Sequence, residues 1–97
     1  MNTNVYLDHN ASAPLRPEAI AAIESAMNTV GNGSSVHAGG RAARKIIEEA
    51  RSSVARLCST DTDTVTFTSG GTEANNLVLS GSGRSRVLIS AVEHPSV

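Results

Sequence analysis

The sequence has one cysteine, one tyrosine, one phenylalanine and no tryptophan among its 97 residues. The single cysteine, Cys58, excludes an intramolecular disulfide, so nothing in the sequence requires an oxidising compartment. Two aromatic side chains provide no platform on which the bases of single-stranded nucleic acid could stack. No apolar run approaches the ~18–20 residues of a membrane-spanning helix, and no signal peptide is visible. We therefore expect a cytoplasmic protein that binds neither nucleic acid nor membranes.

An excess of charge of one sign is also lacking, because eight basic and nine acidic residues give a formal net charge of -1. This balance provides no general attraction to a phosphate backbone or to anionic lipid. Hydrophobic residues make up 39% of the chain, and 13 of them are alanine. A chain of this length buries only ~60–70% of its unfolded surface, and small side chains fill the interior poorly. We expect a thin core, as in one part of a larger domain.

Hydrophobic periodicity predicts two helices in the first half of the chain. Pro17 suits the first turn of a helix, because its missing N–H costs nothing there. Apolar residues then recur at helical spacing as far as Val30, and Gly31 is the expected C-cap. A second amphipathic helix is predicted from about Gly40 to Leu57.

The last third of the chain has the pattern of a βαβ unit. Residues 64–68 alternate with β-branched side chains, residues 72–80 fit a short helix, and residues 86–90 fit a second strand. The short connections imply parallel strands with a right-handed crossover, and parallel strands need further neighbours. The predicted fold class is therefore α/β, with helices on a truncated parallel sheet. The predicted organisation is one incomplete domain, residues 1–97, with a loop and two helices (1–58) and the βαβ unit (64–97).

A glycine pair lies where the first predicted strand ends and its helix begins. The first N–H groups of a helix have no internal acceptor, and the helix dipole places partial positive charge there. Gly70 and Gly71 let an anion approach the backbone, and Ser69 and Thr72 add hydroxyl donors. The turn therefore fits a phosphate group. The alternative is a plain strand-to-helix turn in which Ser69 or Thr72 is the N-cap.

His94 follows the second predicted strand. Open α/β sheets bind ligands at the carboxyl ends of their strands, so His94 and the glycine turn are expected at one edge of the sheet. An imidazole at this edge can stack on a ring or move a proton near neutral pH. The alternative is an ordinary surface histidine.

Four blocks of the sequence, taken together, resemble the N-terminal part of cysteine desulfurases, which are pyridoxal-phosphate enzymes of the class V aminotransferase group. The blocks are YLDHNASAP (residues 6–14), GNGSSVH (31–37), SGGTEANN (69–76) and EH (93–94). They occur in the order and at the spacing typical of the family. The resemblance implies the large domain of a pyridoxal-phosphate-dependent transferase of fold type I.

The resemblance also implies roles for individual residues. Gly71 and Thr72 correspond to the residues that hold the cofactor phosphate, through a backbone N–H and a hydroxyl. His94 corresponds to the catalytic histidine that stacks on the pyridine ring of pyridoxal 5'-phosphate. The Asn10 loop and the Asn32–His37 loop correspond to segments that line the active site or a subunit contact, and His37 itself has no predicted chemical role.

The implied reaction converts L-cysteine to L-alanine and passes the sulfur to an acceptor protein, for iron-sulfur cluster assembly or another sulfur compound. The implied enzyme is a homodimer without a metal. It needs a Schiff-base lysine, an acidic partner for the pyridinium nitrogen and a nucleophilic cysteine, which in the family lie beyond the length of this chain. Lys45, the only lysine, is predicted to be solvated, and Cys58 is predicted to be a small buried residue. We therefore expect this chain alone to be inactive.

Other functions remain open at this point. They are a selenocysteine lyase of the same group, a self-standing phosphate-binding module and a non-catalytic fragment that associates through exposed apolar surface. A metal site is a further alternative, although no ligand pair on one element supports it. Its candidate ligands are His9, His37, His94 and Cys58, with Asp8 or Glu93.

Overall fold

The computed structural model describes residues 4–97. Its helical elements are α1 (Pro17–Met27), α2 (Ala38–Leu57), a 3₁₀ turn (Thr62–Thr64) and α3 (Gly71–Gly81). The chain divides into two compact units, the first ending at Ser53 and the second running from Val54 to Val97. None of the helices within residues 4–97 is long and apolar enough to cross a membrane.

Helix α1 begins at Pro17, as predicted, but it ends at Met27, short of the predicted C-cap Gly31. Asn28 is the C-cap, and its side-chain amide donates a hydrogen bond of 3.0 Å to the carbonyl of Glu24. This bond satisfies one of the carbonyls that a helix C-terminus leaves free. The polar side chain of Asn28 therefore ends the helix before the apolar pattern does.

Helix α2 begins at Ala38, two residues before the predicted Gly40, because His37 caps it. The carbonyl of His37 accepts the N–H of Arg41 at 3.0 Å, which is the first helical hydrogen bond. Its Nδ1 accepts the N–H of Gly40 at 3.3 Å. Histidine thus takes the place of the hydroxyl or carboxylate that usually caps a helix. The structure gives His37 a local structural role.

Three glycines let the loop before α2 lie against the start of that helix. A Cβ on Gly40 would overlap the carbonyl of Ser35, and a Cβ on Gly31 would overlap the carbonyl of Gly39. Gly40 is buried, in contrast to most residues around it. The first unit is therefore held together by close backbone packing rather than by large side chains.

Helix α2 ends at Leu57 as predicted, but the cysteine that follows it is exposed. Ser59 adopts a left-handed conformation with φ 52°, and its N–H donates to the carbonyl of Arg56 at 3.2 Å. The N–H of Thr60 donates to the carbonyl of Ala55 at 3.0 Å, which completes a Schellman motif. This motif turns the chain at the helix end, so the prediction that Cys58 is buried was wrong.

The predicted strands are not formed in the part of the chain that the structure describes. Residues 64–68 begin inside the 3₁₀ turn and continue without regular structure, and residues 86–90 are irregular throughout. A strand is stable only when a neighbour accepts and donates its backbone hydrogen bonds. Neither segment is a regular strand within residues 4–97, so the parallel sheet of the prediction is absent there.

The core is thin, as the composition predicts. Ala55, which is 2% exposed, is the one buried hydrophobic residue among those described. Large apolar side chains such as Leu88 (99% exposed) and Val92 (91%) lie open to solvent. Little apolar area is therefore available to stabilise either unit.

We expect Gly40→Ala to lower the free energy of unfolding by about 1–3 kcal/mol, because its methyl group would overlap the Ser35 carbonyl. Gly81→Ala is the matched control, since both glycines are helical and no atom lies within 4 Å of a Cβ at Gly81. The control should be neutral or stabilise by up to about 1 kcal/mol. Urea titrations followed by far-UV circular dichroism would measure both. Equal midpoints for the two variants would contradict the close packing.

Candidate functional site

The first turn of α3 presents backbone donors to open space. Gly70 is the N-cap, in an extended conformation with φ 164° and without a side-chain capping bond. The first helical bond runs from the N–H of Ala74 to the carbonyl of Gly70 at 3.1 Å. Within residues 4–97, the N–H groups of Gly71 and Thr72 therefore have no acceptor. No atom lies within 4 Å of a Cβ built on either glycine, so the space above the turn is free.

Neither Ser69 nor Thr72 is the N-cap that the plain-turn interpretation predicts. Ser69 instead donates twice to the carboxylate of Glu73, from its hydroxyl at 2.6 Å and from its N–H at 2.7 Å. The hydroxyl of Thr68 donates to the carbonyl of Gly70 at 3.1 Å. Glu73 stands three residues after the N-cap, the position from which a glutamate reaches back in a capping box. It closes the turn and leaves the N–H groups of the helix itself open.

The hydrogen bonds from the hydroxyl and the N–H of Ser69 lower the pKa of Glu73 below its ordinary value, and a small desolvation opposes them. Glu73 therefore stays ionised in the closed turn at neutral pH. A negative charge in the first turn also suits the helix dipole.

His94 lies in a β-turn that is joined to α3. The N–H of Val97 donates to the carbonyl of His94 at 2.9 Å, and Pro95 occupies the second position, which proline favours. The Ser96 hydroxyl lies 2.9 Å from Nδ1 of His94. It also accepts a hydrogen bond of 2.9 Å from the side-chain amide of Asn75. An apolar cavity of about 130 Å³ adjoins this contact and is lined by Asn75, Val78, Leu79 and Val97.

The structure thus links His94 to α3, the helix that carries the predicted phosphate donors, but through other contacts than those predicted. The predicted sheet edge, which would bring His94 and Thr72 together, is absent among residues 4–97. Instead, Ser96 links His94 to Asn75, which lies about one turn after Thr72. No hydrogen bond within residues 4–97 joins Thr72 to His94 directly.

Ser96 and Asn75, the residues that link His94 to α3, were not identified from the sequence. Pro95 was a usable signal, because proline after histidine favours a turn that would bring Ser96 back to the ring. Nothing in the sequence pairs Ser96 with Asn75, since 21 positions separate them. Only the tertiary structure shows this contact.

Lys45 and Cys58 were predicted to have no catalytic role. Lys45 has a side chain 76% exposed and forms an ion pair of 3.7 Å with Glu49, so the prediction that it is solvated is confirmed. Cys58 is exposed rather than buried. Over residues 4–97, no three histidine, cysteine, aspartate or glutamate side chains lie close enough to hold a metal ion.

Comparison with known proteins gives one family match and several relatives. The family described as Aminotransferase class-V matches residues 5–97. An IscS-like cysteine desulfurase of Mycobacterium tuberculosis is 42% identical over an alignment of 101 positions, which covers 95% of this chain and 26% of that protein. Cysteine desulfurase IscS of Dictyoglomus turgidum is 39% identical over an alignment of 104 positions, which covers 100% of this chain and 26% of that protein.

The selenocysteine lyase of Rattus norvegicus is 48% identical over 79 residues, which cover 80% of this chain and 18% of that protein. No solved structure matches. The chain spans about a quarter of the length of the curated desulfurases that it matches.

We expect Glu73→Gln to open the turn around Ser69, because an amide is a weaker acceptor than a carboxylate. The pKa of Glu73 is lowered in the fold. Its contribution to stability is therefore present above its unfolded pKa and is lost as the pH falls through its folded pKa. The amide resonance of Ser69 should follow this acid titration in the unsubstituted chain and not in the variant. Glu24→Gln, on α1, is the control and should leave the Ser69 titration in place. An unchanged Ser69 titration in Glu73→Gln would be inconsistent with the assigned bonds.

Proposed function

We propose a function for this chain, which belongs to the aminotransferase class-V family: it supplies the phosphate-binding turn and the ring-stacking histidine of a pyridoxal-phosphate-dependent cysteine desulfurase. The reaction converts L-cysteine to L-alanine and transfers the sulfur. The observation that carries the proposal is the open first turn of α3, in which two donors lie free in the block that resembles the family's phosphate site.

The residues of this turn fit a phosphate group. The N–H groups of Gly71 and Thr72 are unpaired within residues 4–97, and the helix dipole adds partial positive charge. The hydroxyl of Thr72 makes no hydrogen bond within the same residues, so it is available as a third donor. The absence of a side chain at Gly70 and Gly71 leaves room for the oxygens of a phosphate.

Three residues of this chain have a stated task in this proposal. Gly71 and Thr72 bind the phosphate and so fix one end of the cofactor. The imidazole of His94 stacks on the cofactor ring and holds a proton near the reacting atoms. When bound, pyridoxal phosphate supplies the electron sink that this chemistry requires.

The proposal also concerns the two segments predicted as strands. We expect residues 64–68 and 86–90 to form strands of a parallel sheet, as in fold type I, once the remaining length found in the relatives supplies neighbouring strands with which they pair. The exposure of Leu88 and Ile89 (99% and 53%) supports this, because apolar side chains in a parallel sheet are normally covered on both faces. The homodimer, the sulfur-acceptor protein, iron-sulfur assembly and the cytoplasmic location stay predictions.

A selenocysteine lyase is the second candidate. The rat enzyme of that name has the higher percentage identity, although over a shorter part of this chain than the bacterial desulfurases. Both reactions would use the same phosphate-binding turn. Parallel assays with L-cysteine and L-selenocysteine would therefore distinguish the substrate, and the proposed phosphate-binding turn is the same in either case.

A chimera would test the proposed function. Residues 5–97 replace the matching quarter of the Mycobacterium tuberculosis relative, which provides the rest of the length. We expect the chimera to bind pyridoxal phosphate and to release alanine and sulfide from L-cysteine. A folded chimera that binds no pyridoxal phosphate would contradict the proposal.

Within this chimera, Thr72→Ala should weaken pyridoxal-phosphate binding by about 10- to 150-fold. A hydrogen bond to a charged group contributes ~1.5–3 kcal/mol, which corresponds to that range. Ser80→Ala, near the other end of α3, is the matched control and should leave the affinity unchanged. Equal affinities for the two variants would show that Thr72 does not bind the phosphate. Equilibrium titration followed by cofactor absorbance would measure both affinities.

The 97-residue chain alone should show no sulfide release and no change in the absorbance of pyridoxal phosphate at micromolar concentrations. Two or three charge-assisted hydrogen bonds give roughly 3–9 kcal/mol, whereas association costs ~4–15 kcal/mol. Lys45, the only lysine, is paired with Glu49 at the surface. Sulfide formation by the purified chain would refute this expectation.

A further inference from the structure

Ser96 is the one half-buried residue in the segment from Ser80 to Val97, in which every other residue is exposed. Its hydroxyl and its N–H both lie against the ring of His94. Its hydroxyl also contacts Asn75 of α3. Ser96 therefore attaches this exposed segment to the helix by a hydrogen bond.

The contact with the backbone of Ser96 defines which nitrogen of the imidazole carries a proton. The N–H of Ser96 donates to Nδ1 of His94 at 3.1 Å. A backbone N–H is a donor only, so Nδ1 must accept with its lone pair. In the neutral ring the proton then resides on Nε2.

The side chains of Ser96 and Asn75 support the same tautomer. The amide of Asn75 donates to Oγ of Ser96 at 2.9 Å, which leaves the hydroxyl proton free to point elsewhere. Nδ1 of His94 lies 2.9 Å from that oxygen, so with Nδ1 unprotonated the hydroxyl is the donor of this hydrogen bond. The one lone pair of Nδ1 is then shared between the N–H and the hydroxyl of Ser96.

The β-turn gives this arrangement a rigid base. Pro95 has a fixed φ, and the bond from the N–H of Val97 to the carbonyl of His94 closes the turn at 2.9 Å. The ring is thus attached both to its own turn and, through Ser96, to α3.

We propose that Ser96 is a positioning residue for His94: together with Asn75, it holds the imidazole as the tautomer that keeps its proton on Nε2. The nitrogen that offers a proton to the reacting group is then Nε2. The catalytic meaning of this assignment rests on the proposed function, whereas the tautomer itself does not.

Nuclear magnetic resonance of the ring nitrogens in the 97-residue chain, with the ring neutral, tests the tautomer. We expect Nδ1 to give the signal of an unprotonated nitrogen and Nε2 that of a protonated one. Ser96→Ala keeps the backbone N–H but loses the hydroxyl that ties the ring to Asn75 and holds it against that N–H. In this variant the two signals should therefore move towards each other, and Ser96→Thr, which keeps the hydroxyl, should restore them. Ser90→Ala is the control, because that hydroxyl accepts the N–H of Val92 at 3.3 Å and does not contact His94. A protonated Nδ1, or identical ring signals in Ser96→Ala and the unsubstituted chain, would overturn the proposal.

Kinetics of the chimera test the same residue in the loaded enzyme. Ser96→Ala should lower kcat about five- to tenfold with little change in KM for L-cysteine, and Ser96→Thr should restore kcat. An active chimera that is indifferent to Ser96→Ala would overturn the positioning role. An inactive unsubstituted chimera, with the Nε2-protonated ring retained in the chain, would contradict the proposed function and support the tautomer assignment.

Discussion

Two backbone N–H groups at the start of α3, those of Gly71 and Thr72, have no acceptor within residues 4–97. A helix must leave its first donors unpaired unless a side chain caps them, and here none does. Glu73 accepts from Ser69 instead, so it closes the turn without occupying the donors of the helix. The proposed binding of a phosphate depends on this arrangement, in which the donors of Ser69 bind the internal carboxylate and the N–H groups of Gly71 and Thr72 are left for an external anion.

We expect the open turn to form in this chain although the chain alone is inactive, and its packing and length explain why. Ala55 is the one buried hydrophobic residue among those described, and close backbone contacts around Gly40 take the place of a core in the first unit. The chain spans about a quarter of the length of its curated desulfurase relatives. The family resemblance places the covalent lysine and the nucleophilic cysteine outside that quarter, and Lys45 is at the surface.

Local sequence patterns predicted the helices well, because helical hydrogen bonds form between neighbouring residues. The start of α1 at Pro17, the end of α2 at Leu57 and the existence of α3 are confirmed. The predicted strands are not formed within residues 4–97, because a strand depends on a partner that no local pattern can supply. The same limit applies to the site: the glycine turn was visible in the sequence, whereas the contact of Asn75 with Ser96 was not.

Phosphate binding at the first turn of α3 is tested by comparing pyridoxal phosphate with pyridoxal, which lacks the phosphate, as ligands of the 97-residue chain at millimolar concentration. Amide resonances would be followed during both titrations. We expect pyridoxal phosphate to shift the N–H resonances of Gly71 and Thr72 and pyridoxal to leave them in place. Equal shifts with both compounds, or shifts with pyridoxal phosphate that leave these two residues unaffected, would contradict this expectation.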